Sequence, residues 1–156
     1  MKKIVAIAAI AVFTMAAQAE TYQYIDIGAN QSTLQEKTGQ GFDIGWGATK
    51  VWDSGVLAGF GMNYGQADIE GETFNNFGGD IKLGYKYKDL AVYGLGSGIY
   101  QSYYTEDSAG FGYGGGLEYT PFKHFGIGAE YKTYNMTSET VEYDFETARV
   151  YLKIIF

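Results

Sequence analysis

Cysteine is absent from all 156 residues, which removes disulfides, thiolate metal sites, a cysteine nucleophile and a lipid-anchored lipoprotein. Histidine occurs once, at His124, so no multi-histidine metal site can be assembled. Proline also occurs once, which leaves the hydrogen-bonded ladders of a β-protein intact. Beyond residue 20 no stretch reaches about eighteen apolar residues, and helix formers never gather at a period of about 3.6. A membrane location must therefore use strands. Basic residues are scarce too, and the formal charge of −7 argues against nucleic acid, whose phosphates would be repelled.

What is present begins with an export signal. Met1, Lys2 and Lys3 make a positive start, Ile4 to Ala17 is an apolar run broken only by Thr14, and Ala17-Gln18-Ala19 offers small residues where a signal peptidase reads. The competing reading, a spanning helix, needs about twenty apolar residues, more than this run supplies. Cleavage after Ala19 is expected, giving a signal peptide at 1–19 and one barrel domain at 20–156. Losing Lys2 and Lys3 leaves nine Lys and Arg against eighteen Asp and Glu, a balance of −9.

The whole chain holds 23 Gly, 15 Tyr and 10 Phe, all but Phe13 beyond residue 20, a composition that favours strands. Phe77, Gly79, Ile81, Leu83, Tyr85 and Tyr87 alternate with Gly78, Asp80, Lys82, Gly84 and Lys86, so one face is apolar and the other small or charged. The same alternation recurs around Ile25–Ala29, Phe42–Trp52, Val56–Tyr64, Ala91–Ile99, Phe111–Tyr119, Phe125–Tyr131 and Ala148–Phe156, which makes eight strands. In the fifth, Ala91, Tyr93, Leu95 and Ile99 are read as the apolar outer face and Gly94, Gly96 and Gly98 as the inner one. Short joints at 53–55, 88–89 and 120–124 alternate strictly with long polar ones at 31–40, 66–76, 102–109 and 135–141. A transmembrane barrel with both termini in the periplasm produces that order, and strands of about ten residues would cross its apolar band. The fold expected is all-β, an eight-stranded antiparallel up-and-down transmembrane β-barrel.

Volume decides which face is which. Eight strands enclose a lumen that side chains just fill, so about five large residues per strand cannot all point inward. Aromatics toward lipid and glycines toward the lumen fit, with ring belts at both ends of the strands. Asp26, Asp43, Asp80, Glu118 and Glu130 then face inward together with Lys82, Lys86, Lys132, Arg149 and Lys153, five of each sign. Buried charge is tolerated when paired, so this balance points to a salt-bridge plug, with a proton or ion path as the alternative.

The signal, the eight alternating strands, four longer outer loops, the charged core and the terminal Phe156 together resemble the small outer-membrane barrels of the OmpX/Ail type and the membrane domain of OmpA. The resemblance covers the mature chain and lies in architecture, without one diagnostic motif. It implies surface interaction, adhesion or envelope maintenance, outer-membrane lipid and lipopolysaccharide as surroundings, and no shared chemistry. It also implies that Val150, Leu152, Ile154 and Phe156 form the ending read by the barrel-assembly machinery, with Tyr commoner where Ile154 stands.

Candidate chemistry is thin. Asp53-Ser54-Gly55 matches the aspartic-protease triplet but sits where Asp and Gly make a tight turn. Small lipid-A-modifying barrels pair a catalytic His with an outer Ser, whereas His124 falls in a short periplasmic turn followed by Phe125 and Gly126. None of the Gly-x-Gly pairs completes a phosphate-loop pattern before a helix. Neither enzyme activity nor a cofactor is expected. Function is placed in the outer loops, where Asp68, Glu70, Glu72, Glu106, Asp107 and Glu139 make an acidic rim. That rim could share Ca²⁺ or Mg²⁺ with lipopolysaccharide, meet a basic host or neighbouring surface protein, or simply be solvated. Phe74, Tyr103, Tyr104 and Met136 are read as apolar tips among those charges, a composition of interaction patches.

Overall fold

The computed structural model describes residues 19–34, 36–103, 106–138 and 142–156. Period-two alternation makes strands, and eight run antiparallel among these residues: β1 (Ala19–Leu34), β2 (Lys37–Trp52), β3 (Val56–Ile69), β4 (Glu72–Tyr87), β5 (Leu90–Tyr103), β6 (Glu106–Phe122), β7 (Phe125–Thr137) and β8 (Glu142–Ile155). Each pairs with its neighbour in sequence, and β1 pairs with β8 to close a barrel. Following the pairing from Ile27 through Ile44, Tyr64, Phe77, Tyr100, Ala109 and Thr137 arrives at Glu142. Across the seam, however, Ile27 faces Leu152, so the ladder closes with a shift of ten residues along β8. For eight strands such a stagger means a tilt of about 40–45° and a lumen that side chains can fill.

The strands run 13 to 17 residues rather than about ten. Most of what reads as long loops is strand: Leu34 pairs with Lys37, Ile69 with Glu72, Tyr103 with Glu106 and Thr137 with Glu142. Glu70 and Gly71 form one tip with φ of 57° and 82°, the left-handed conformation a two-residue hairpin needs. Asp68 accepts the Gly71 N–H there at 2.9 Å. At the opposite end Asp53-Ser54-Gly55 is a turn in which the Gly55 N–H donates to the Trp52 carbonyl at 2.8 Å. The single proline, Pro121, stands where the β6–β7 register shifts between Tyr119 and Phe122, a place that does not need its missing N–H.

Side chains sort into two zones along the barrel axis. Near the termini and short turns the exterior exposes Ile25, Trp46, Ile81, Leu83, Val92, Leu117 and Leu152, while charges and glycines face inward. Near the hairpin tips the arrangement reverses. Gln31, Gln40, Thr73 and Asn135 are exposed outside, and Ile69, Phe74, Ile99, Tyr134, Met136 and Phe145 form a buried cluster inside, with Leu34 and Tyr143 against it.

In β5 the expected facing is overturned. Ala91, Tyr93, Leu95 and Ile99 point inward, and Gly94 and Gly96 are exposed on the outside. Leu90, Val92 and Tyr100 are also exposed, so both faces of this segment are apolar and alternation alone cannot choose between them. Ser97 and Gln101 share the parity of Tyr93 and are buried with it. Turned outward, Ser97 would leave a hydroxyl in the apolar band, which is costly.

Candidate functional site

The lumen glycines exist to make room. A Cβ on Gly128 would stand 2.3 Å from the Tyr151 ring, and one on Gly116 would stand 2.7 Å from that of Tyr93. These close approaches let two tyrosines lie across a narrow barrel among the charges. Asp26, Asp43, Asp80, Lys82, Glu118, Glu130, Lys132, Arg149 and Lys153 are all buried there. Lys86 is half-buried at the terminal end and donates to the Tyr22 hydroxyl at 3.3 Å.

Glu130 is the hub of the network. Its Oε1 accepts from Lys82 Nζ at 2.8 Å and from the Tyr93 hydroxyl at 2.9 Å. Its Oε2 lies 3.4 Å from Lys132 Nζ and 3.5 Å from Arg149 Nη1. Lys132 pairs with Asp80 at 2.6 Å, and Asp80 also accepts from Ser97 and, at 3.2 Å, from Asn63. Arg149 bridges Asp26 and Asp43, the latter at 2.5 Å, while Asn30 donates to Asp43 at 3.1 Å. Nearer the termini Lys153 pairs with Glu118, the Tyr151 hydroxyl reaches the same carboxylate at 3.1 Å, and the Tyr93 and Tyr151 hydroxyls are 2.7 Å apart. The Lys153 ammonium also lies 3.9 Å from the centre of the Tyr24 ring. Charges removed from water are costly unless their partners are this close.

Above this layer a cavity of about 40 Å³ remains, lined by Asn30, Asp43, Asn63, Asn76, Lys132 and Arg149 among others, room for a few waters. The apolar cluster around Phe74, Met136 and Phe145 closes the lumen beyond it. Phe74 and Met136 are therefore not the apolar tips expected of them: Met136 is 1% exposed and Phe74 7%. They alternate with outward polar residues in strands that continue past the apolar band, and so turn inward.

Of the expected rim acids, Asp68 and Asp107 are exposed strand residues, Glu70 sits in a hairpin tip and Glu72 opens β4. Glu106 opens β6 and Tyr103 ends β5, while Tyr104 and Glu139 lie outside the described residues. Lys37 donates to Glu70 at 2.6 Å, and that hydrogen bond and charge hold its ammonium above its ordinary range. Val150, Leu152, Ile154 and Phe156 all point outward. His124 is exposed at the terminal end, with Nδ1 2.9 Å from the Ile155 carbonyl. No group of three or more His, Asp or Glu among the described residues is placed to hold a metal. The tyrosine, serine and asparagine partners of the charges went unrecognised in the sequence. Ser97 and Gln101, polar residues in step with Tyr93, were the available signal.

The family model for the outer membrane protein beta-barrel domain matches residues 5–156. The chain belongs to that family. It is accordingly an integral outer-membrane protein, with its exposed apolar band toward lipid. Among solved structures it is similar to neisserial surface protein A, at 13% identity with a TM-score of 0.58, covering 90% of this chain and 100% of that one. Ail of Yersinia pestis is similar at 14% identity and 0.59, with 90% and 100% covered. The N-terminal barrel of Pseudomonas aeruginosa OprF follows at 14% and 0.55, with 86% and 99% covered. At such identities these likenesses establish the fold. No curated protein sequence matches the chain.

Proposed function

We propose that this barrel is non-catalytic and acts at the cell surface, in adhesion or envelope support, through its four hairpin tips and the wall beneath them. The observation that carries this is the filled lumen: among the described residues an ion-paired layer and an apolar cluster occupy it one above the other, as suits a barrel of only eight strands. Residues 1–19 serve as the export signal, both termini are periplasmic, and the hairpin tips therefore face outward. The β8 ending from Val150 to Phe156 guides insertion by the barrel-assembly machinery.

The charge of the tips narrows the partner. Beyond the aromatic belt Lys37 is the one base among the described residues, and it is already paired with Glu70, whereas Asp68, Glu72, Asp107, Asp144 and Glu146 are all acidic. Ail has been solved in complex with the heparin analogue sucrose octasulfate, at 15% identity and a TM-score of 0.51 to this chain. A polyanion of that kind would be repelled here, so a protein partner is neutral or basic, and anionic lipopolysaccharide is met across shared divalent cations or through uncharged groups. Cells with and without the protein are to be compared for adhesion and for envelope resistance to detergent; unchanged values in both would overturn the proposal. The polar cavity of about 40 Å³ favours one second reading, a narrow channel. Planar-bilayer recording decides it, and silence is the outcome expected.

A further inference from the structure

We infer that the outer wall of the barrel, immediately beyond the aromatic belt, binds the saccharide part of the surrounding glycolipid and not its phosphates. This rests on the proposed orientation, with hairpin tips outward. The outward residues at this level are mostly amides and hydroxyls: Gln31, Gln40, Gln66, Asn75, Thr133 and Asn135. The charged ones among them, Asp68, Asp107, Asp144 and Glu146, are all acidic. Among the described residues no Lys or Arg points outward there. Phosphate recognition draws on guanidinium or ammonium groups, and this wall would instead repel phosphate. Amides both donate and accept, as sugar hydroxyls do.

The side chains are also prearranged. Asn75 Oδ1 accepts from Gln66 Nε2 at 2.8 Å and from the Tyr64 hydroxyl at 3.1 Å, which ties the wall to the aromatic belt. Thr33 and Thr38 are hydrogen-bonded at 3.3 Å across the β1–β2 hairpin. A shallow groove of about 840 Å³ crosses the border between the two zones. Its lower part is apolar, at Val92, Leu117, Ala129 and Val150, and its upper part ends at Gln31, Gln40 and Tyr131; Glu130 and Arg149 also border it, but both are buried and ion-paired in the lumen. A glycolipid would lay an acyl chain along the lower part and a sugar against the amides. Such a glycolipid is continuous with the lipid already facing the band below.

The test uses the folded, purified protein in micelles, with either lipopolysaccharide carrying a complete core oligosaccharide or the glycolipid truncated to lipid A, each with Mg²⁺ or with excess EDTA. Heat unfolding is followed by the change in gel mobility. Full-core material should raise the midpoint by about 5 °C more than lipid A does, in EDTA as well as in Mg²⁺. The Gln31→Ala/Gln40→Ala double variant and, separately, Asn75→Ala should fold and lose that difference. Equal stabilisation by the two glycolipids, a difference that disappears in EDTA, or a difference that survives both variants would overturn the inference. Labelling Glu70→Cys on intact cells with an impermeant maleimide tests the orientation by itself, so a failure there is distinguishable from a failure of sugar binding.

Discussion

The lipid-facing half of this barrel and the half next to the hairpin tips are built on opposite rules. In the first, large apolar residues such as Ile81 and Leu83 face outward and the interior holds Glu130, Lys132 and Arg149. In the second, Thr73 and Asn135 face outward and Phe74, Met136 and Phe145 pack within. One continuous strand obeys both rules: β4 places Phe74 and Lys82 on the same inner face. Backbone pairing is indifferent to solvent, and the choice of inward or outward residue is set locally by whatever touches the wall. The tip-side half has the facing of a small water-soluble barrel, joined end to end to one with the facing of a membrane barrel.

Substitutions can break that contrast, and the hub carboxylate should show the largest effect. Glu130→Ala leaves the buried Lys82 without a carboxylate and takes one partner from Lys132 and Arg149, which keep Asp80, Asp26 and Asp43, and urea unfolding in lipid vesicles should show a loss of about 4 kcal/mol. A loss below about 1 kcal/mol would mean that the layer is hydrated. Phe145→Ala empties the centre of the apolar cap and should cost about 3 kcal/mol in the same assay. Ile81→Arg, at mid-height on the lipid face, should cost about 2.5 kcal/mol. Gly128→Ala drives a methyl group into the Tyr151 ring and should cost about 1–2 kcal/mol, with a shift in tyrosine fluorescence. Thr73→Arg, a matching change on the same strand but outside the bilayer, should stay within about 0.5 kcal/mol. If the two arginine variants cost the same, the boundary between halves is misplaced.

Much of this was legible in the residues. Period-two alternation marks all eight strands and their order, and the charges on the small face of each strand lie in the lumen. The facing of 90–101 was not legible, because Val92 and Tyr100 on one side compete with Tyr93 and Leu95 on the other, and the outcome depends on distant glycines that open space for a ring. The outer strand segments read as loops because Thr73 and Asn75 flank a lone Phe74. A polar-apolar-polar triplet is equally a turn and a half-buried strand until its pairing partner is known. The partners of the charges were hidden for the same reason: Tyr93 and Glu130 are 37 residues apart, and only closure of the barrel brings them together.

The pairing of β1 with β8 carries a kinetic consequence. Arg149 and Asp26 stand 123 residues apart in sequence, so their contact cannot help any early hairpin to form. Loop closure over such a separation is slow and is rewarded only at the end. Zipping of the last seam is therefore the step that an Arg149→Leu change should retard, leaving an open, nearly complete sheet waiting to become a ring.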